Sequence, residues 1–310
     1  MRLDAINTSV DGMARTMNTP TPRSIVPEAN RMAVVGGGTM GTGIAYVFAQ
    51  AGYATTVVEP DDARTKAMAA ELRAAADGAV QRSKLDSDGA DALLARIQRV
   101  ASIDALASGL DLIVETVPER FELKAEVLAA LSATAPLLLA TNTSSISIDR
   151  LAAAVITPDR FVGMHFFNPV WSLPLVEIIR GTATSDAAIM QAERIVTVIA
   201  KQSIVVADIP GFATSRLDLI ASLEAMRMLE DGVASAADID RAAELAYRHP
   251  VGPLKLSDIV GLDVRLDIAR QLESVYGERY RPPKILIEYV AAGRLGRKSG
   301  KGFHDWPTGS

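Results

Sequence analysis

The chain has 310 residues, 49% hydrophobic and 22% charged, with a formal net charge of −5 and no cysteine. These numbers describe a globular protein with a sizeable core. They exclude disulfides, a thiolate nucleophile and a cysteine-ligated metal, and they speak against nucleic-acid binding. No run approaches the roughly 20 apolar residues of a membrane helix, and no apolar signal segment opens the chain, which fits a cytoplasmic protein.

Residues 1–30 are mixed in character and are expected to form a flexible extension. Arg2, Arg15 and Arg23 would suit a transit peptide, but Asp4, Asp11 and Glu28 argue against one. From residue 31, apolar runs at 32–35, 54–58, 110–114 and 137–140 alternate with helical stretches at 39–51, 61–81 and 119–134. Strands apolar along their whole length are covered on both faces, so the alternation predicts a doubly wound parallel sheet. Further strands are expected at 161–166, 175–179 and 203–206. Beyond Asp208 the strand signals stop, and helices are expected at 211–229, 237–246, 256–274 and 283–292, joined by turns such as 248–253. The reading is an α/β chain: a Rossmann-like nucleotide-binding domain over 31–208, then an all-helical domain over 209–310.

The first strand runs straight into Gly36-Gly37-Gly38-Thr39-Met40-Gly41, a G-x-G-x-x-G turn that opens a helix. Gly36 permits the tight turn, Gly38 admits a pyrophosphate to the backbone, and Gly41 lets helix and strand pack closely. Unpaired N–H groups and the helix dipole then favour the phosphates. Glu59 ends the next strand, where a carboxylate accepts from the adenine-ribose hydroxyls and repels a 2′-phosphate. NAD is therefore expected over NADP, with Arg64 close enough to moderate the preference.

One of only three histidines, His165, ends a strand, and Glu177 sits alone in the apolar run that follows. If the two segments pair like a hairpin, the residues meet. A His–Glu pair suits hydride chemistry: the imidazole takes the alcohol proton, and the carboxylate fixes its tautomer and stabilises imidazolium. The same spacing equally suits a satisfied core histidine and an edge-strand glutamate. His249 and His304 resemble turn residues and are given no chemistry.

From residue 31 to 306 the sequence resembles the L-3-hydroxyacyl-CoA dehydrogenases, including the bacterial 3-hydroxybutyryl-CoA type. The marks, in order, are GGGTMGTGIA from Gly36, ETVPE from Glu115, TNTSS from Thr141 and HFFNPV from His165. LVEIIRG from Leu175, PGFATSRL from Pro210, GLD from Gly261 and GRKSGKGF from Gly296 complete the set. The resemblance implies a homodimer that oxidises a small acyl thioester with NAD, without metal, nucleic acid or membrane. It makes His165 the general base, Glu177 its orienting partner and Ser144 a donor to the substrate oxygen. Gly36, Gly38, Thr39, Met40, Gly41, Glu59, Glu119, Lys124, Asn168 and Lys298 become cofactor contacts, and Arg82 with Lys84 falls where the family binds CoA phosphates. Without the family, 141–145 is a capping loop, Glu119 and Lys124 are first-turn helix residues, and Lys298, Arg82 and Lys84 are solvated charges.

Two departures bear on the substrate. Ser215 stands where the family commonly has asparagine in its PGF-x-x-N-R segment, shorter but still able to donate and accept. Trp171 and Pro174 replace residues of a Pro-Val-Pro-Val-Met-Lys segment, which predicts a large ring beside His165 and removes a lysine. An acyl group on a carrier protein, or a free hydroxy acid, is therefore an alternative substrate. A non-catalytic NAD-binding protein is the reading from another class, against which the joint presence of His165, Glu177 and Ser144 argues.

Overall fold

The structure, a computed structural model, describes residues 31–307; the expected extension lies outside them. β1 (Arg31–Val35) is buried from Met32 onward because its two faces meet different layers. Met32 and Val34 join one apolar cluster and Ala33 and Val35 another, which is the alternation a doubly covered strand requires. α1 (Thr39–Gln50), β2 (Ala54–Val58) and α2 (Asp62–Gln81) follow, with the Asp61 side chain capping α2 by accepting from the Arg64 N–H. Then come α3 (Ser87–Ala95), β3 (Ile97–Val100), β4 (Leu112–Glu115), α4 (Phe121–Ser132), β5 (Leu139–Thr141) and α5 (Ile148–Ala152). The sheet is completed by β6 (Phe161–Phe166), β7 (Leu175–Arg180), α6 (Asp186–Val198) and β8 (Gln202–Ala207).

The eight strands lie in the order β3-β2-β1-β4-β5-β6-β7-β8. α1, α2, α3 and α6 cover one face, and α4 and α5 the other. Because β1 neighbours both β2 and β4, strand order reverses beside the glycine turn, and a crevice opens there at the strands' C-terminal ends. The sheet is not wholly parallel: β6 and β7 run antiparallel, with His165 directly opposite Glu177.

The sequence reading passes over α3, β3, α5 and α6. β3 is an edge strand carrying Gln98 and Arg99 and is only partly buried, so it lacks the apolar run of a covered strand. After β8 come only helices among the described residues: α7 (Thr214–Glu230), α8 (Ala236–Tyr247), α9 (Pro253–Val260), α10 (Leu262–Tyr276) and α11 (Lys284–Ala291). They enclose an apolar cluster of their own around Leu219, Leu223, Leu254 and Leu266. The single helix expected over 256–274 is two, because Gly261 at φ +108° breaks it. No described helix is long and apolar enough to cross a membrane.

Two buried aspartates tie the C-terminal tail to these helices. Asp258 accepts from the Phe303 N–H (2.9 Å), the His304 N–H (2.9 Å) and the Trp306 indole (3.0 Å). Asp240 accepts from the Leu254 and Lys255 N–H groups at the start of α9 and contacts His304 Nε2 at 2.8 Å. His304 is thus a structural partner of Asp240, not a bare turn residue. Replacing the buried Asp258 by alanine leaves three part-buried donors without their acceptor, and urea melts should show a loss of about 3 kcal/mol.

Candidate active site

The glycine turn leaves β1 with Gly36 at φ +106° and its N–H donating to the Val58 carbonyl at 2.9 Å. A Cβ on Gly41 would stand 1.9 Å from the Gly36 oxygen, so only glycine allows this approach of α1 to the strand. A Cβ on Gly38 would meet nothing within 4 Å, which leaves that backbone open to the crevice. Gly38 is also the N-cap of α1, with no side chain bonding the first turn and no acid in it. The helix start is therefore suited to an anionic group.

Glu59 is 8% exposed and accepts from the Gly37 N–H (2.8 Å, Oε2) and the Asp61 N–H (2.9 Å, Oε1). It is not a solvated strand-end charge; it fixes the turn and keeps a negative group in the crevice wall. Arg64 donates through Nε to the Gly37 carbonyl at 2.5 Å and through Nη2 to both oxygens of Glu71 at 2.9 and 3.0 Å. That pairing engages the arginine weighed above as a moderator of cofactor preference.

A cavity of about 1040 Å³ is lined from this turn to His165, with Gly38, Glu59, Ile103, Glu119, Ser144 and His165 among its wall residues. The wall fits a dinucleotide in kind: an open glycine backbone and helix start for phosphates, a carboxylate for a ribose, and an apolar flank at Ile103, Leu123 and Val127.

At its other end, His165 Nδ1 lies 2.8 Å from Glu177 Oε2. A carboxylate only accepts, so Nδ1 carries the proton and Nε2 keeps its lone pair. Glu177 has no exposed surface, and its Oε1 accepts from the Ala213 (3.1 Å) and Thr214 (2.9 Å) N–H groups. The Thr214 hydroxyl donates to Oε2 at 2.8 Å. Burial pushes this carboxyl up, but the bonds from His165 and Thr214 outweigh it and hold Glu177 below the usual carboxylate range.

The 143–145 loop is organised by Glu119. Its Oε1 accepts from the hydroxyls of Thr143 (2.5 Å) and Ser145 (3.1 Å) and from the N–H groups of Ser144 (3.0 Å) and Ser145 (3.1 Å). Ser144 Oγ is 3.4 Å from the same oxygen and lies on the cavity wall with His165. Burial raises the Glu119 carboxyl, but the Thr143 bond, the charge of Lys124 and the serine donors bring it below its ordinary value.

Several of the expected contact residues do not line this cavity. Lys124 is fully buried behind the wall, bonded to both oxygens of Glu115 (2.9 and 3.1 Å) and to the Asn142 carbonyl (3.2 Å). Its side chain is covered by these neighbours and has no exposed surface. Burial is also the main reason Glu115 is held above the usual range, despite Lys124 and the Thr141 and Val117 donors. Lys298 pairs with Asp263 at 2.6 Å in the helical part, and Asn168, exposed and joined to Pro169 by a cis peptide, is also off the wall. Arg82 and Lys84 are exposed beyond the end of α2, away from this cavity. Ser215 stands next to Thr214 in the first turn of α7, and its side chain has no hydrogen bond among the described residues.

Trp171 does not line this cavity. Its ring meets Tyr46 of α1 edge-on with centroids 5.7 Å apart, because buried Val170 seats against Gly43. Lys201 Nζ fixes that turn by donating to the Val170 (2.5 Å) and Leu173 (2.6 Å) carbonyls. Sequence reasoning missed Thr214, Glu115 and Asn142. Asn142 lies on the wall and spends its Oδ1 on the Phe166 N–H (2.9 Å), leaving its amide N–H groups as donors. All three lie within motifs that carry the resemblance, but only Glu115 stands out by its own chemistry, a charge ending an apolar strand.

The family model described as 3-hydroxyacyl-CoA dehydrogenase, NAD binding domain, matches residues 31–209, and that of the C-terminal domain matches 211–306. The 3-hydroxybutyryl-CoA dehydrogenase of Bradyrhizobium diazoefficiens is 39% identical over 279 residues, spanning 89% of this chain and 95% of that protein. A Mycobacterium tuberculosis protein of the same description is 41% identical, spanning 89% and 98%. The crystal structure of (S)-3-hydroxybutyryl-CoA dehydrogenase PaaH1 from Ralstonia eutropha superposes with a TM-score of 0.86 at 37% identity, covering 90% of this chain and all (100%) of that one.

The lowered Glu119 carboxyl has a measurable consequence. A depressed folded-state value contributes stability that is present above the ordinary carboxylate range and is lost as pH falls through the folded value. Glu119→Gln should cost about 1 kcal/mol at neutral pH, allowing for its partial exposure, and the gap from the parent should close below about pH 4. Thermal melts across pH check both the size and the direction.

Proposed function

The chain belongs to the 3-hydroxyacyl-CoA dehydrogenase family, and from that premise we propose that His165 is the general base in reversible oxidation of an L-3-hydroxyacyl-CoA to the 3-oxoacyl-CoA. It is an NAD-dependent oxidoreductase. Bound NAD supplies the hydride acceptor. Gly38, Thr39 and Met40 would hold its pyrophosphate, Glu59 its adenine ribose, and the wall around Glu119 and Ser144 its nicotinamide half.

One observation carries the proposal: the Nδ1 proton is committed to Glu177, so Nε2 has a free lone pair on a residue that shares the cavity wall with Ser144. His165 Nε2 takes the hydroxyl proton, and buried Glu177 stabilises the imidazolium. Ser144 donates its hydroxyl to the substrate oxygen, both as alcohol and as carbonyl. In the reverse direction the imidazolium returns the proton to the carbonyl oxygen. The relatives named above act, by their descriptions, on 3-hydroxybutyryl-CoA, which supports a CoA thioester over a free acid. Ser215 and Trp171, the latter packed on Tyr46 of α1, are the departures that bear on the acyl group.

The test is NADH formation from L-3-hydroxybutyryl-CoA, with free 3-hydroxybutyrate as the comparison. The thioester should turn over, and His165→Gln should lower kcat by about 10²–10⁴-fold while NADH still binds. Wild-type kcat in that variant refutes the base, and failure of every hydroxyacyl thioester refutes the substrate.

A further inference from the structure

α7 meets Glu177 with three donors, and only one belongs to a side chain. The N–H groups of Ala213 and Thr214 take Oε1 at 3.1 and 2.9 Å, and nearly any residue pair at these positions could supply them. The Thr214 hydroxyl takes Oε2 at 2.8 Å, the same oxygen that accepts His165 Nδ1 at 2.8 Å. Two donors therefore share one oxygen of a carboxylate with no exposed surface.

We propose that Thr214 is a positioning residue that tunes the His165–Glu177 pair, its hydroxyl drawing charge from the oxygen that would otherwise serve the imidazole alone. The proposal rests on the reading of His165 as base. A hydrogen bond to a carboxylate lowers its basicity, and a less basic Glu177 stabilises imidazolium less. The base consequently stays neutral, and able to take a proton, to lower pH than a pair without the hydroxyl.

The surroundings leave this bond few rivals. Glu177 faces the His165 ring from β7, and Phe167 and Phe212 bring uncharged rings at 4.4 and 6.1 Å. From the cavity wall come Glu119, backed by Lys124, and more remotely Glu59, Asp61 and Arg64. On α7 itself, Arg216 turns away to the Tyr276 ring and the Tyr280 hydroxyl, and Asp218 pairs with Arg265.

Three histidines make the test direct, since each ring can be followed by NMR and His165 assigned by its loss in His165→Gln. Thr214→Val keeps the branched shape and removes the hydroxyl. The His165 titration midpoint should move upward by about 0.5 pH unit, with His249 and His304 unmoved, and Thr214→Ser should restore it. The acid limb of kcat/KM for alcohol oxidation should move the same way. A folded Thr214→Val protein with an unchanged or lowered midpoint overturns the proposal; if that variant does not fold, Thr214→Ala against Thr214→Ser decides it on the same criterion. The NMR readout needs no turnover, so an error about the substrate would appear separately, as absent NADH formation with the midpoint still shifted.

Discussion

Glu177 is a carboxylate with no exposed surface, and burying it is tolerable only because every direction around it supplies a donor. The imidazole reaches one oxygen across the β6–β7 pair, and the start of α7 supplies N–H groups to the other. The sheet and the first helix after it therefore meet on one buried charge. The antiparallel register that sets His165 opposite Glu177 is what the site depends on: a slip of one residue would turn the histidine to the other face of the sheet.

The same logic is repeated along the crevice. Glu59 is tied to the glycine turn, Glu119 gathers the 143–145 loop, and Glu115 is compensated by buried Lys124 beneath it. Each acid accepts from backbone or hydroxyl donors of a segment remote in sequence, so charge-assisted hydrogen bonds tie the wall segments to one another. Rigid loops are thereby placed at the strand ends, where the reversal of strand order leaves room for a dinucleotide.

Much of this was legible in the sequence. The covered strands announced themselves as apolar runs, the glycine turn by its spacing, and the family by eight ordered motifs running from Gly36 to the tail. What stayed hidden depended on tertiary context. β3 was invisible because an edge strand needs no apolar face, and the α9–α10 break because one glycine in a helical pattern has several meanings. The pairing of His165 with Glu177 could be suspected from their spacing, but a structural pair would have shown the same spacing. Thr214 lay inside the PGFATSRL motif but had no chemical signal of its own: a threonine in a helix start becomes informative only when its hydroxyl is found on a buried carboxylate. The seat of Trp171 was equally hidden, since the turn that places Val170 on Gly43 and the Trp171 ring against Tyr46 is tertiary.

The most direct measurement is kcat for hydroxyacyl-CoA oxidation by Glu177→Gln, made beside a titration of NADH binding. The amide keeps the size of the side chain and removes the charge that stabilises imidazolium. A kcat lower by about 10²-fold or more with NADH affinity preserved is the result this account predicts. A wild-type kcat with the affinity intact would contradict it.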